Sequence, residues 1–148
     1  MNLRNMTATA AVLLLTASPA WADNFLVHIH TGPDNPTEAA LAFTVAMTAQ
    51  KEGHNVTVFL AGDGASLITD AAIGSVEGKG TGKLKDSFDA LIKGGAHIYV
   101  SGMSAKARNI TDADLAGKSA EFAMPAKLVA LAAAADVVLS YSSISRFD

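Results

Sequence analysis

Apolar residues in this chain occur in two kinds of run. Some are short and rich in β-branched side chains; others are longer and interrupted by polar residues at helical intervals. The stretches "NFLVHIH" (24–30), "NVTVFLA" (55–61), "HIYV" (97–100) and "VVLSY" (137–141) are of the first kind. Bounded by turn residues, they read as buried strands. Pro36-Thr37-Glu38 opens a helix expected to run to about Glu52, with proline at the first helical position and Gly53 just past the end. A second helix is expected near Leu84–Lys93, ended by Gly94-Gly95, and a last one from Pro125 to about Ala135. The segment 111–117 reads as a short turn of helix, with Thr111 as N-cap and Asp114 three residues on. Apolar strands alternating with helices predict one α/β domain: three layers, α/β/α, around a mostly parallel sheet. No linker or repeat divides it.

Two of these helices carry little polar surface. In 36–52 the residues Thr37, Thr44, Thr48 and Lys51 make a narrow stripe, and in 125–135 Lys127 is the only charged residue. A helix apolar on all sides must be covered on more than one side. Either the rest of the chain wraps it or a second subunit does, and a homo-oligomer is expected because small domains rarely leave large apolar patches in water.

The amino terminus reads differently. Residues 1–22 hold one cation, Arg4, then the apolar run "TATAAVLLLTA", then "SPAWA". Ala20-Trp21-Ala22 has the small-x-small form of a signal-peptidase site, so cleavage before Asp23 and a periplasmic location are expected. The alternative, a membrane anchor, needs an apolar run of roughly 20 residues, which this segment lacks. No membrane span is expected after cleavage, and residues 23–148 form the domain. With 50% hydrophobic and 17% charged residues the chain is of the packed, globular kind. Its formal net charge of −3, one unit more negative without Arg4, offers no basic patch and argues against nucleic acid as a partner. The chain has no cysteine, so neither disulfides nor thiol chemistry are open to it.

In parallel α/β sheets ligands bind beyond the carboxyl ends of the strands. That edge should gather His30-Thr31-Gly32, Gly62-Asp63-Gly64 and Ser101-Gly102-Met103-Ser104. Ser101 follows a strand directly, where a nucleophile would stand. The elbow G-x-S-x-G is not met, however: Tyr99 and Met103 flank Ser101 at the glycine positions, and Ser104 has Gly102 before it but Lys106 after it. No triad is fixed by the remaining histidines and aspartates, so Ser101 reads as the cap of the following turn. Gly78-Lys79-Gly80-Thr81-Gly82-Lys83-Leu84 is one residue short of a P-loop and has leucine for the required Ser or Thr. Gly62-Asp63-Gly64 lacks the third glycine of a dinucleotide turn. Both read as flexible connections. His28 and His30, two apart on a strand, share a face and could hold copper or zinc with Met103 nearby, or could be ordinary hydrogen-bonded histidines, since no third ligand is evident. His54 reads as a surface residue, and His97 lies at the amino end of its strand, away from this edge.

Four stretches, "HTGPDNPTEAALAF", "EGHNVTVFLAGDG", "YVSGMSAKARNIT" and "AEFAMPAKLVALAAAAD", together resemble the DsrE/DsrF-like family over residues 24–141. The resemblance implies a parallel sheet of about five strands between helices and assembly as a trimer or hexamer. In sulfur-handling members it also implies a persulfide passed along cysteines. There, a cysteine at a strand end stands a few residues before an Arg-Gly-Val-like turn. Ser101, ahead of Arg108-Asn109-Ile110, occupies the corresponding place, and a hydroxyl cannot form and break S–S bonds. The leading expectation is therefore a periplasmic, oligomeric DsrE-like protein with no catalytic residue and no cofactor, its link to sulfur metabolism being what the resemblance implies. It would bind a small molecule or a protein partner through His30, Thr31, Gly32, Gly62, Asp63, Ser101, Met103 and Ser104. The alternatives are a metal-binding module using His28 and His30, and an enzyme of unrecognised type using His30, Asp63 and Ser101.

Overall fold

A computed structural model describes residues 21–143. The chain begins with strand β1 (Asn24–Ile29), helix α1 (Pro36–Lys51) and strand β2 (Asn55–Leu60). A 3-10 turn (Gly62–Ile68) and helix α2 (Asp70–Ser75) lead to a hairpin of β3 (Glu77–Gly78) and β4 (Gly82–Lys83), then helix α3 (Leu84–Lys93). Strand β5 (His97–Ser101), short helices α4 (Gly102–Ala107) and α5 (Asp112–Leu115), strand β6 (Ala120–Ala123), helix α6 (Pro125–Ala134) and strand β7 (Val137–Tyr141) complete it. The main sheet has the order β6-β5-β2-β1-β7, and every neighbouring pair is parallel.

Local signals set most of these boundaries. Asn35 caps α1: its side-chain oxygen accepts from the Glu38 N–H at 3.5 Å and its amide donates to the Glu38 carboxylate at 2.7 Å, with Pro36 at the first helical position. Thr111 and Asp114 form the reciprocal capping box expected of them. The 78–84 glycine stretch is a tight hairpin packed on α1, with Lys79 N–H donating to Thr37 Oγ1 at 3.1 Å, rather than a flexible connection. Likewise 62–68 is wound into 3-10 helix, with Gly64 buried against the end of β1. The fifth strand, Ala120–Ala123, carries one apolar run too short to stand out in the sequence and an exposed Glu121.

Topology makes the two faces of the sheet unequal. From β1 to β2 to β5 to β6 the chain steps in one direction, so right-handed crossovers place the connecting helices on one face. There Val27, Ile29, Val56, Val58, Leu60, Ile98 and Val100 meet Phe43, Leu67, Leu84, Phe88, Leu91 and Leu115 in the larger core. Only the last connection, from β6 back across the sheet to β7, reverses direction, and among the described residues α6 alone crosses the other face. It covers a second, small cluster of Leu26, Phe59, Ala61 and Ala123 with Leu128, Leu131 and Ala135. One helix about 10 Å wide cannot cover five strands spaced roughly 4.8 Å apart. Accordingly α6 has no buried residue, with Val129 69% exposed and Val138 on β7 51% exposed.

Candidate functional site

Three loops meet beyond the carboxyl ends of β1, β2 and β5, and the backbone ties them together. Gly64 N–H donates to the His30 carbonyl at 3.0 Å and Ala61 N–H to the Ile29 carbonyl at 3.0 Å. A Cβ on Gly64 would collide with the Ile29 carbonyl oxygen, which is why the approach requires glycine. Gly62 turns with φ +54°, a conformation glycine reaches freely, and sits beside the His30 ring. Its N–H donates to Ser104 Oγ at 2.9 Å, so the first turn of α4 is pinned to the end of β2.

Electrostatics adds a second tie. Arg108 pairs with the Asp63 carboxylate and also donates to the Ser104 carbonyl at 3.2 Å. The Asp63 side chain is largely exposed and that of Arg108 half-buried, so this pair orders the loops more than it stabilises the fold. Asn109 follows at φ +54°. Asparagine tolerates that left-handed conformation better than most residues, so Arg108-Asn109-Ile110 can turn where a glycine would otherwise be expected.

Ser101 ends β5 and caps α4, its Oγ accepting from Ser104 N–H at 3.3 Å. No imidazole hydrogen-bonds its hydroxyl among the described residues. Of the eight residues expected at this edge, His30, Asp63 and Met103 are exposed, Met103 by 64%. Gly62, Ser101 and Ser104 are half-buried and joined by the bonds above. Thr31 and Gly32 are buried. The Thr31 hydroxyl meets Ser143 Oγ at 2.9 Å and Gly32 packs on the Asp63 backbone, so both shape the loop. The sequence reading missed Arg108 as part of the constellation; its spacing from Ser104, one helical turn, was the available signal.

His28 and His30 do share a face. Their rings stand edge-on with centroids 4.2 Å apart, and His28 also meets Phe59 edge-on at 5.6 Å. Burial, and then the neighbouring His30, pushes the His28 imidazole down to about 4, so it is neutral at pH 7. His28 Nε2 is buried without a hydrogen-bond partner. Among the described residues no group of three or more His, Cys, Asp or Glu side chains is placed to hold a metal ion. His97 lies at the amino end of β5, 3.3 Å from Glu121. His54 is not free on the surface: it is half-buried, tilted on Phe25, and accepts from Asp23 N–H at 3.2 Å. A cavity of about 250 Å³ opens at the opposite, amino edge, between Leu131 and Ala134 of α6, Ala135 just past its end, and Asn24, Leu26 and Asn55 of the sheet.

Comparison with known proteins agrees with this architecture. The model of the DsrE/DsrF-like family matches residues 23–141, and the chain belongs to that family. Among solved structures it resembles the ychN protein from E. coli with a TM-score of 0.64 at 14% identity, covering 82% of this chain and 100% of that one. At that identity the likeness concerns the fold. No curated protein matches the chain. Residues 1–20 and 144–148, which hold nearly all of the expected signal segment 1–22, lie outside the described residues. Among those described, no helix is long and apolar enough to cross a membrane.

Proposed function

For this member of the DsrE/DsrF-like family we propose a binding role without thiol chemistry. The protein is exported to the periplasm, assembles as a homo-oligomer (a trimer or hexamer) and engages a small molecule or a protein partner at the carboxyl edge of its sheet. The observation that carries the proposal is Ser101. At the strand end where the family resemblance implies a reactive cysteine in sulfur-handling members, this cysteine-free chain has a hydroxyl engaged as the cap of α4. A serine cannot hold a persulfide. What is left at the edge is a set of loops tied by hydrogen bonds and offering His30, Asp63 and Met103 to solvent, the composition of a contact surface rather than of a nucleophile and base. The exposed apolar side chains of α6 and β7 support assembly.

Two measurements test this. Hydrogen exchange in periplasmic extract, compared with buffer, should show added protection at 30–32, 62–64 and 101–104; unchanged exchange there removes the proposed edge. Polysulfide offered to the native protein and to Ser101→Cys should add sulfur mass to the variant alone. Mass gain on the native chain would show that some other group does the family's chemistry.

A further inference from the structure

The last crossover leaves part of the sheet bare, and the bare part can be located. Helix α6 starts at the carboxyl end of β6, where Met124 lies near Gly102, and finishes over Asn24, Leu26 and Asn55 at the amino edge of β1 and β2. It therefore crosses the face diagonally and, among the described residues, leaves open the corner at the carboxyl ends of β1 and β7. The side chains on that corner alternate with those of the main core: His28 and His30 on β1 and Ser140 on β7, with Val138, opposite Leu26, on the same face nearer the amino end. His30 and Ser140 are exposed, and Val138 is 51% exposed. No charged side chain of β1 or β7 stands there to keep a partner away.

Within the corner the imidazoles are unusual. His97 has Glu121 and His54 has Asp23 as polar partners, whereas His28 Nε2 is buried with none. An unmet buried nitrogen is costly, and here it adjoins a second, exposed imidazole at a ring separation of 4.2 Å. Two histidines at i and i+2 on a strand can turn nitrogen atoms toward one point, and the exposed His30 ring has room to rotate to it. Imidazole favours zinc and copper. One chain, however, supplies only two such ligands, since no third His, Cys, Asp or Glu joins them among the described residues. A closed zinc site takes four. A twofold axis through the open corner doubles two to four.

We propose that His28 and His30 are half of a transition-metal site completed by a second copy of this chain, with two imidazoles from each copy holding one zinc-class ion across the uncovered corner of the sheet. The inference uses the self-association proposed above only in taking a second copy as the occupant. Tag-free protein, stripped with chelator and titrated with Zn²⁺, is followed by native mass spectrometry and sedimentation. The expected result is one zinc per two chains and a zinc-dependent shift toward even-numbered assemblies. Both should be lost in His30→Ala and in His28→Ala and kept in His97→Ala. Because His30 is exposed, its variant should fold whatever becomes of His28. Absence of zinc uptake, uptake of one ion per chain, or uptake that survives His30→Ala would each overturn the proposal. An assembly that forms equally well without metal would do so too, while leaving self-association itself intact.

Discussion

Helices α1 and α6 are built from nearly the same residues and meet opposite ends. Both are rich in alanine, both open with proline and neither has more than a few charges. In α1, Ala39, Ala40, Ala42, Phe43, Ala46 and Ala49 are buried. In α6 no residue is. Position causes the difference. The face that α1 covers also receives α2, α3 and the hairpin, so α1 is packed on the sheet below and on α3 beside it, with Thr44 Oγ1 3.3 Å from Ser87 Oγ and Gln50 donating to the Leu91 carbonyl at 3.2 Å. Among the described residues, the face under α6 receives no other helix. Composition decides how much a helix gains from burial; the order of strands decides whether one chain can supply it.

The largest test of that contrast lies in α1. Phe43 is fully buried and meets Phe88 at 5.9 Å between ring centroids. Phe43→Ala should cost about 3–5 kcal/mol by urea denaturation, the sum of lost transfer energy and the cavity left in a face that cannot collapse. The half-buried Leu128 of α6 should cost clearly less when truncated to alanine. Equal losses would mean that α6 is as well packed as α1 in solution, and the contrast would fail. A charge on the exposed side of α6 sharpens it further. Val129→Glu should alter the stability of the single chain by no more than about 0.5 kcal/mol while driving sedimentation toward the monomer mass. If the variant unfolds, α6 is covered within its own chain; if it sediments unchanged, Val129 lies outside the proposed interface.

Much of this was readable from the residues. The four longer strands, α1, α3, α6 and the capped turn at Thr111 announce themselves through period, caps and glycine stops. Strand β6 does not, because four residues with an exposed Glu121 resemble a loop; only its pairing with β5, Ile98 to Ala120 through Ser101 to Ala123, makes it a strand. The 3-10 turn after Gly62 and helix α4 are too short for a periodic signal, and both are held by contacts distant in sequence, such as Gly62 to Ser104. The inequality of the faces left a trace that is clear in retrospect. His28, Thr57, His97, Glu121 and Ser140 fall on one side of the sheet, and a strand buried on both faces seldom carries polar residues at every second position. At the candidate edge the same limit applied: spacing brought His30, Gly62 and Ser101 together, whereas the burial of Thr31 and Gly32 depended on Ser143 and Asp63.

The thin face should also make the fold sensitive to acid. Burial holds the His28 imidazole at about 4, against about 6.5 in the unfolded chain. As pH falls below 6.5 the unfolded chain takes up the proton first, so stability is full above about 6.5, declines between 6.5 and 4, and is level below. Because His28 is only half-buried, solvent reduces the effect to on the order of 1–2 kcal/mol. Melting at pH 7 and pH 5 should show a smaller drop for His28→Gln than for the native protein; identical drops would place the sensitivity elsewhere. On the loop side of the molecule a neutral bond should matter slightly less. Ser104→Ala leaves the Gly62 N–H without its 2.9 Å acceptor and should cost about 1 kcal/mol, with faster exchange confined to 62–64. Loss of exchange protection throughout the sheet instead would mean that this bond supports the whole fold.

The smallest effect concerns how α6 is held at all. With so little burial beneath it, the helix gains from one contact that needs none: Lys127 Nζ lies 4.7 Å from the centroid of the Tyr99 ring. Tyr99 is half-buried on the same thin face, between His97 at 4.6 Å and Phe59 at 6.4 Å, so its ring is already fixed when the ammonium arrives. An exposed contact of this kind contributes about 0.5–1 kcal/mol, which on α1 would disappear beside the loss from Phe43 but on α6 is comparable with the packing of a single half-buried leucine. A double-mutant cycle of Lys127→Met and Tyr99→Leu isolates it, since methionine keeps most of the lysine stem and leucine keeps an apolar body over the sheet. A coupling near 0.5–1 kcal/mol that shrinks little in 0.5 M salt is expected, the attraction being short-range. Zero coupling would mean that the lysine stem packs on α6 without using its charge, and α6 would then rest on Leu128, Leu131 and Ala135 alone.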